Sequence, residues 1–292
     1  MRITNQVLYN RAVKDTRDLM SEIGKLQESI SSGRRVHRPS DDPAATGGIM
    51  RTSSSLRALE QYRENVNQAQ SRLSLEDRVL DQINNALTRA KELAVSQGGD
   101  TASAASREAA REEVDELREF IVGLGNTEFI GSYLFGGDYA DSRPFPPSGI
   151  DPARPPAGDF EVEAAPGTYL MANHSGQEIL VDTGVLDSLE ALSLGLEHDS
   201  SAEIQSALGE LDASMEGIRV LTADLGGRMN RVDRALESMD SLELELQSQR
   251  SSLEDTDMEE AITKLVNRQV TYQSAMLSNS RILSLTLTDY LR

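Results

Sequence analysis

Apolar residues in this chain recur at alternating steps of four and three, the spacing of an amphipathic helix. From Ile204 the pattern runs through Leu208, Leu211, Met215, Ile218, Thr222, Leu225, Met229, Val232, Leu236, Met239, Glu243, Leu246, Arg250 and Leu253. Twelve of these fifteen positions are apolar, where a 38% hydrophobic background would give about six. The mean step is 3.5 residues, and a straight helix drifts ~20° per heptad off such a line. A strict 3.5 repeat therefore predicts supercoiling against a partner helix, in a rod on the order of 75 Å long. Gly226-Gly227 is its weak spot, since a glycine inside a helix costs ~1 kcal/mol against alanine.

The first half repeats the pattern. Thr52, Leu59, Val66, Leu73, Leu80, Leu87 and Ala94 lie seven apart, with Tyr62, Ala69, Ile83 and Ala90 in the alternate phase and Glu76 interrupting it. Gly98 and Gly99 terminate this helix. A third helix carries Val114, Leu117, Ile121 and Leu124 on one face, and the short link predicts that it lies antiparallel to the second. Both ends of the chain read as helices with thinner seams. The first is Tyr9, Ala12, Thr16, Leu19, Ile23, Leu26 and Ile30. The second is Met258, Ile262, Leu265, Gln269, Tyr272, Met276, Asn279 and Leu283. Polar interruptions at Thr16, Gln269 and Asn279 make both marginal on their own and predict that they order against a partner.

Between the helical halves the composition changes. Seven of nine prolines lie between 144 and 166, and seven of twelve Phe and Tyr between 129 and 169. "DFEVEA" and "QEILVD" alternate as strands do, and "LDSLEALSLGLEH" reads as a short helix. The fold class is mainly α: a long antiparallel helical bundle or coiled coil formed by the N- and C-terminal halves, with a small inserted β-rich module. The expected division is terminal helices at 1–40 and 255–292, a central bundle at 41–137 and 186–254, and a projecting β-rich module at 138–185.

Net charge is −19, but residues 1–60 carry ten Lys/Arg against seven Asp/Glu, a balance of +3 that leaves −22 for the rest. So acidic a chain is a poor ligand for nucleic acid, whose phosphates need basic patches. There is no cysteine, which excludes disulfides and thiol chemistry. No run approaches the ~18 apolar residues of a membrane span, and the start lacks the apolar core of a secretory signal. Export by another machine stays open. The three histidines, His37, His174 and His198, have no second ligand at metal-binding spacing. His174 lies beside Ser175 and near Asp182, but neighbours in sequence do not make a catalytic pair, and "NHSG" reads as a surface loop. No catalytic, cofactor or metal site is expected, and the chain reads as not an enzyme.

The stretch "SSGRRVHRPSDDPAAT" (31–46) interrupts the helices. Gly33 can take the left-handed conformation that ends a helix, and Pro39 blocks continuation. Ser40 or Asp42 can cap the next helix, with Pro43 tolerated in its first turn. Asp41 and Asp42 oppose that helix's positive end. Arg34, Arg35 and Arg38 can pair locally, although a simple turn does not require three arginines.

"ISSGRRVHRPSDDPAA", "GSYLFGGDYADSRPF" and "DMEEAITKLVNRQVTYQSAMLSNSRILSLTLTDYL" resemble the flagellin-like family of bacterial flagellar proteins, in its hook–filament junction branch. The similarity covers about residues 1–140 and 205–292. It implies a structural subunit that joins hook to filament by axial self-assembly, its paired terminal helices forming an inner layer. Implied partners are further copies of the chain, hook-associated protein 1, flagellin, an export chaperone and the flagellar type III export apparatus, with neither nucleic acid nor membrane. The implied location is outside the cell, in the flagellum. The subunit interface is expected at Leu19, Ile23, Leu26 and Ile30; at Gly33, Arg34, Arg35, Pro39, Asp41, Asp42 and Pro43 of the joint; and at Ile262, Leu265, Tyr272, Met276, Leu283, Leu287 and Tyr290. A flagellin filament subunit is the near alternative. A secreted type III translocation or adhesion protein is the alternative of another class.

Overall fold

The computed structural model describes residues 2–99, 102–146 and 155–290; of residues 2–6, 8 and 281–290 it describes only the helical backbone. Six helices carry the described chain: α1 (Arg2–Ser32), α2 (Pro43–Gln97), α3 (Ala104–Gly125), α4 (Val185–Glu197), α5 (Ser201–Glu254) and α6 (Met258–Tyr290). Four short strands form two antiparallel hairpins, β1 (Glu128–Phe129) with β2 (Ser132–Tyr133), and β3 (Glu161–Ala165) with β4 (Thr168–Met171). The chain divides into two compact units, one from residues up to Arg57 and from Leu242 on, the other Ala58–Ser241.

In the second unit α2 and α5 run antiparallel, and their cross-links repeat with the heptad. Arg63 pairs with Asp240, Gln70 donates to Asp233 at 2.9 Å, and Lys91 meets Asp212 at 2.5 Å. From one link to the next both helices advance by the same count, first seven residues and then 21. These contacts are exposed, so each is worth ~1 kcal/mol or less. The stability lies beneath them, where every residue of the Thr52-to-Ala94 line is buried. On α5 one heptad phase is buried as expected, at Ile204, Leu211, Ile218, Leu225, Val232 and Met239. The other phase falls one residue earlier than the sequence suggests. Ala207, Ser214 and Arg228 are buried, while Leu208, Met215 and Met229 are half-buried. Two of these three buried residues are small, and the larger apolar ones flank them.

α3 packs on α4, and it is also tied to α2 by Arg89–Glu113 at 2.7 Å and by Ser106 donating to Gln97 at 3.0 Å. Ser103 caps α3 by accepting from the Ser106 N–H. At the far end Gly125 lies against Leu180 and Phe145, and a methyl group there would come within 2.6 Å of Leu180 Cδ1 and 2.8 Å of Phe145 Cδ2. We expect Gly125→Ala to lower stability by about 1–3 kcal/mol through overpacking, read as a drop in the thermal midpoint of the full chain.

The expected strand in "DFEVEA" is β3. Its partner is "TYLM", entered through Pro166-Gly167 with Gly167 at φ +73°. "QEILVD" is not a strand. It is a π-helical turn, Gln177–Asp182, in which the adjacent Ile179 and Leu180 are both buried. A half-buried strand alternates and cannot bury two neighbours on one face. The "NHSG" stretch is likewise not a surface loop, for Asn173, His174 and Ser175 are all buried. No described helix is long and apolar enough to cross a membrane.

Candidate functional site: terminal helices and the joint

In the first unit α1 and α6 pack against each other, and the pairing runs antiparallel. Glu22 meets Arg268 at 2.9 Å, and Asn279 donates to Thr16 Oγ1 at 3.1 Å. On α1 the face turned inward is the expected one from Ala12 on: Ala12, Thr16, Leu19, Ile23, Leu26 and Ile30 are half-buried, whereas Tyr9 is exposed. None is fully buried, and a groove of about 310 Å³ lies open beside Thr16 and Asn279.

On α6 the seam differs from expectation. Ala261, Leu265, Tyr272, Ala275 and Asn279 turn inward, with Ala261 fully buried. Ile262 and Met276 are exposed. Small residues again take the close approach, which rotates the larger neighbours outward. The result is a second apolar stripe, Ile262, Val266, Val270 and Leu277, at exposures of 48, 52, 57 and 66%. The side chains of Leu283, Leu287 and Tyr290 lie outside the described residues.

The joint is built as its sequence suggests, with long-range partners the sequence could not name. Gly33 takes φ +73° and its N–H returns to the Ser29 carbonyl at 2.9 Å, ending α1. The chain then pairs with the link between α5 and α6: the Arg35 N–H donates to the Glu254 carbonyl at 2.7 Å, and the Thr256 N–H to the Gly33 carbonyl at 2.9 Å. Arg34 meets the Glu254 carboxylate at 2.9 Å. The Arg35 guanidinium bridges two elements, donating to Asp42 at 3.0 Å and to the Leu253 carbonyl at 2.9 Å. Of the two candidate caps it is Asp42 that holds α2, accepting from the Ala45 N–H at 2.9 Å; Pro43 begins the helix. Asp41 accepts the backbone N–H groups of Arg38 at 2.9 Å and His37 at 3.3 Å. Asp257 does the same for α6, accepting from Glu259 and Glu260 at 3.0 Å each.

These bonds fix the charge state of the joint. The Arg38 N–H above all holds the Asp41 carboxyl below its usual range, and the Ala45 N–H, followed by Arg35, does so for Asp42. A depressed carboxyl pKa stabilises the fold above the unfolded value of 3.8 and loses that contribution as pH falls through the folded value. Amide exchange at Arg38 and Ala45, corrected for intrinsic rates, should therefore accelerate below about pH 4 while neutral samples stay protected.

The chain is matched by two family models. One describes the bacterial flagellin N-terminal helical region and matches residues 3–140; the other describes its C-terminal helical region and matches 208–291. Together they span about three quarters of the chain, which belongs to the bacterial flagellin family. Within that family it is similar along nearly its whole length to flagellar hook-associated protein 3 of Escherichia coli, 27% identical over 94% of this chain and 95% of the relative. Flagellin FlaB1 of Treponema pallidum is 23% identical over 93% of each chain. Among solved structures, flagellar hook associated protein-3 from Legionella pneumophila has the same fold over 70% of this chain and 98% of its own, with a TM-score of 0.61 at 14% identity.

Proposed function

We propose that the chain is a structural subunit joining flagellar hook to filament, and that copies assemble through α1, α6 and the joint. The observation that carries this is the stripe Ile262–Val266–Val270–Leu277, an apolar face left open on a helix whose other face is already paired. Apolar side chains held half in water gain about 1 kcal/mol each when the rest of their surface is buried. A ring of copies, each offering the same stripe, can realise that gain many times over. The shallow α1–α6 seam supports ordering of these ends on assembly, with the cost of ordering met by burial between copies. The expected partners are further copies, hook-associated protein 1 on one side and flagellin on the other. The expected route outward is the flagellar type III apparatus, with a chaperone covering the terminal helices before assembly.

The joint ties the end of α1 to the start of α2 and to the α5–α6 link, and it is expected to contact a neighbouring copy. Arg34→Glu with Arg35→Glu would set like charges against Glu254 and Asp42. We expect this pair to abolish incorporation while the thermal unfolding of the Ala58–Ser241 unit stays within about 1 kcal/mol of the parent. Normal incorporation of the double variant would remove the joint from the assembly mechanism.

The similarity to Treponema flagellin favours one other reading, a filament subunit. The two separate when the chain is mixed with hook-associated protein 1 and flagellin. A junction subunit binds both and stops at a short zone, whereas a filament subunit grows long polymers by itself.

A further inference from the structure

His174 is buried, and each of its ring nitrogens faces a carboxylate. Nδ1 lies 2.5 Å from Glu76 Oε1 on α2, and Nε2 lies 3.1 Å from Asp224 Oδ2 on α5. A carboxylate only accepts hydrogen bonds, so both contacts are satisfied together only when both nitrogens carry hydrogen, that is, as an imidazolium. The backbone N–H of His174 also points at Glu76, 3.3 and 3.2 Å from its two oxygens. Glu76 is completely buried and is the residue that interrupts the apolar line of α2.

The segment that carries His174 has other attachments besides, among them the buried Ile179 and Leu180 and a bond from Asn65 to the Glu163 carbonyl. Asn173 accepts the Phe160 N–H at 2.8 Å, the Ala172 N–H returns to Phe160, and Gly176 donates to the Phe135 carbonyl at 3.0 Å. Val162 and Ala172 pack with Ala69 of α2 in a small cluster. On the α5 side, Arg228 donates to Asp224 at 2.7 Å and to the Asn173 carbonyl. On the α2 side, Arg72 lies one turn before Glu76, donates to the Leu134 carbonyl at 2.9 Å and sits over the Phe160 ring. Within the segment itself, Glu178 accepts from Ser175 at 2.8 Å. The charges facing the ring are thus Glu76 and Asp224, with Arg72 and Arg228 behind them.

We propose that protonated His174 is a charged tie between α2 and α5 that holds the Phe160–Asp182 segment, and that loss of its proton breaks the α5 half of the tie. A neutral imidazole has a single N–H. Glu76, buried and with no access to water, keeps it, and the Nε2–Asp224 bond is lost. Arg228 retains both Asp224 and Asn173, so the segment loosens without separating. The transition is shifted upward from the ordinary histidine value. Burial works against the charged ring, but the hydrogen bond and charge of Glu76, helped by Asp224, outweigh burial and the repulsion from Arg228, leaving the pKa raised above 6.5. The sign follows: the tie is complete below the unfolded pKa of 6.5 and is lost as pH rises through the folded value. The segment is therefore firmer below the transition and looser above it.

The test is the proton-NMR titration of His174 in the full chain, its signal assigned by its absence in His174→Gln, together with hydrogen exchange at Ala172 and Gly176. The parent should titrate above 6.5. Asp224→Asn, a change at a half-exposed side chain that leaves the core intact, should lower the midpoint by about one pH unit. Exchange at the two amides, corrected for intrinsic rates, should rise several-fold across the parent's midpoint and show no such step in Asp224→Asn. A midpoint at or below 6.5, or one that Asp224→Asn leaves in place, would overturn the proposal.

Discussion

Replacing Ile262, Val266 and Val270 together by serine will leave the chain folded but unable to assemble. All three side chains are about half exposed in the single chain, so their loss costs its stability little. In the assembled state each would bury its remaining surface. With about half of each side chain's ~1.5–3 kcal/mol still to be gained, the three are worth about 2–4 kcal/mol per contact, a loss of roughly 30- to a thousandfold in association. Sedimentation of the variant with its flagellar partners reads this directly. Unchanged co-sedimentation would show that the stripe is idle. The outcome is distinguishable from misfolding, because the bundle's thermal transition reports separately on Ala58–Ser241.

Replacing Arg107 by alanine should do the opposite, destabilising the bundle without touching the ends. Its guanidinium is almost wholly buried and serves three elements at once. It donates to the carbonyls of Gln97 at 3.2 Å and Gly99 at 3.0 Å where α2 ends, to the carbonyl and carboxylate of Asp199 at 2.9 and 2.5 Å, and to Ser201 at 3.0 Å where α5 begins. Without it the partly exposed carbonyls at Gln97, Gly99 and Asp199 lose their donor and the end of α2 loses its tie to the start of α5, at a cost of about 1–3 kcal/mol. Urea unfolding of the full chain checks this. Arg107→Lys should recover only part of the loss, because an ammonium cannot fan out to acceptors on three sides.

The long helices were legible because burial on α2 and α5 repeats every seven residues, and heptad counting finds that period without knowing what lies opposite. The phase was less legible. Ala207 and Ser214 on α5, and Ala261 and Ala275 on α6, face their neighbours because they are small, whereas hydropathy favours the larger residues beside them. Glu76 looked like a defect in an otherwise apolar line. It is an ion-pair partner whose histidine lies 98 residues away in sequence, and nothing local to either residue joins them. The joint was readable in its local chemistry, with Gly33 ending one helix, Asp42 capping the next and Arg35 reaching Asp42. Its attachment to Glu254 and Leu253 was not, since that depends on how the two halves of the chain meet. "QEILVD" misled because six residues rich in Ile, Leu and Val fit a strand and a wide helical turn equally well.

The central claim, that the helical ends of this chain connect hook to filament, is tested most directly by deleting it from its own bacterium and imaging the flagella. A junction role requires hooks that carry no filament while flagellin accumulates in the medium, with filaments restored by the parent chain but not by the Ile262, Val266 and Val270 triple serine variant. Filaments of normal length still seated on hooks in the deletion strain would contradict it.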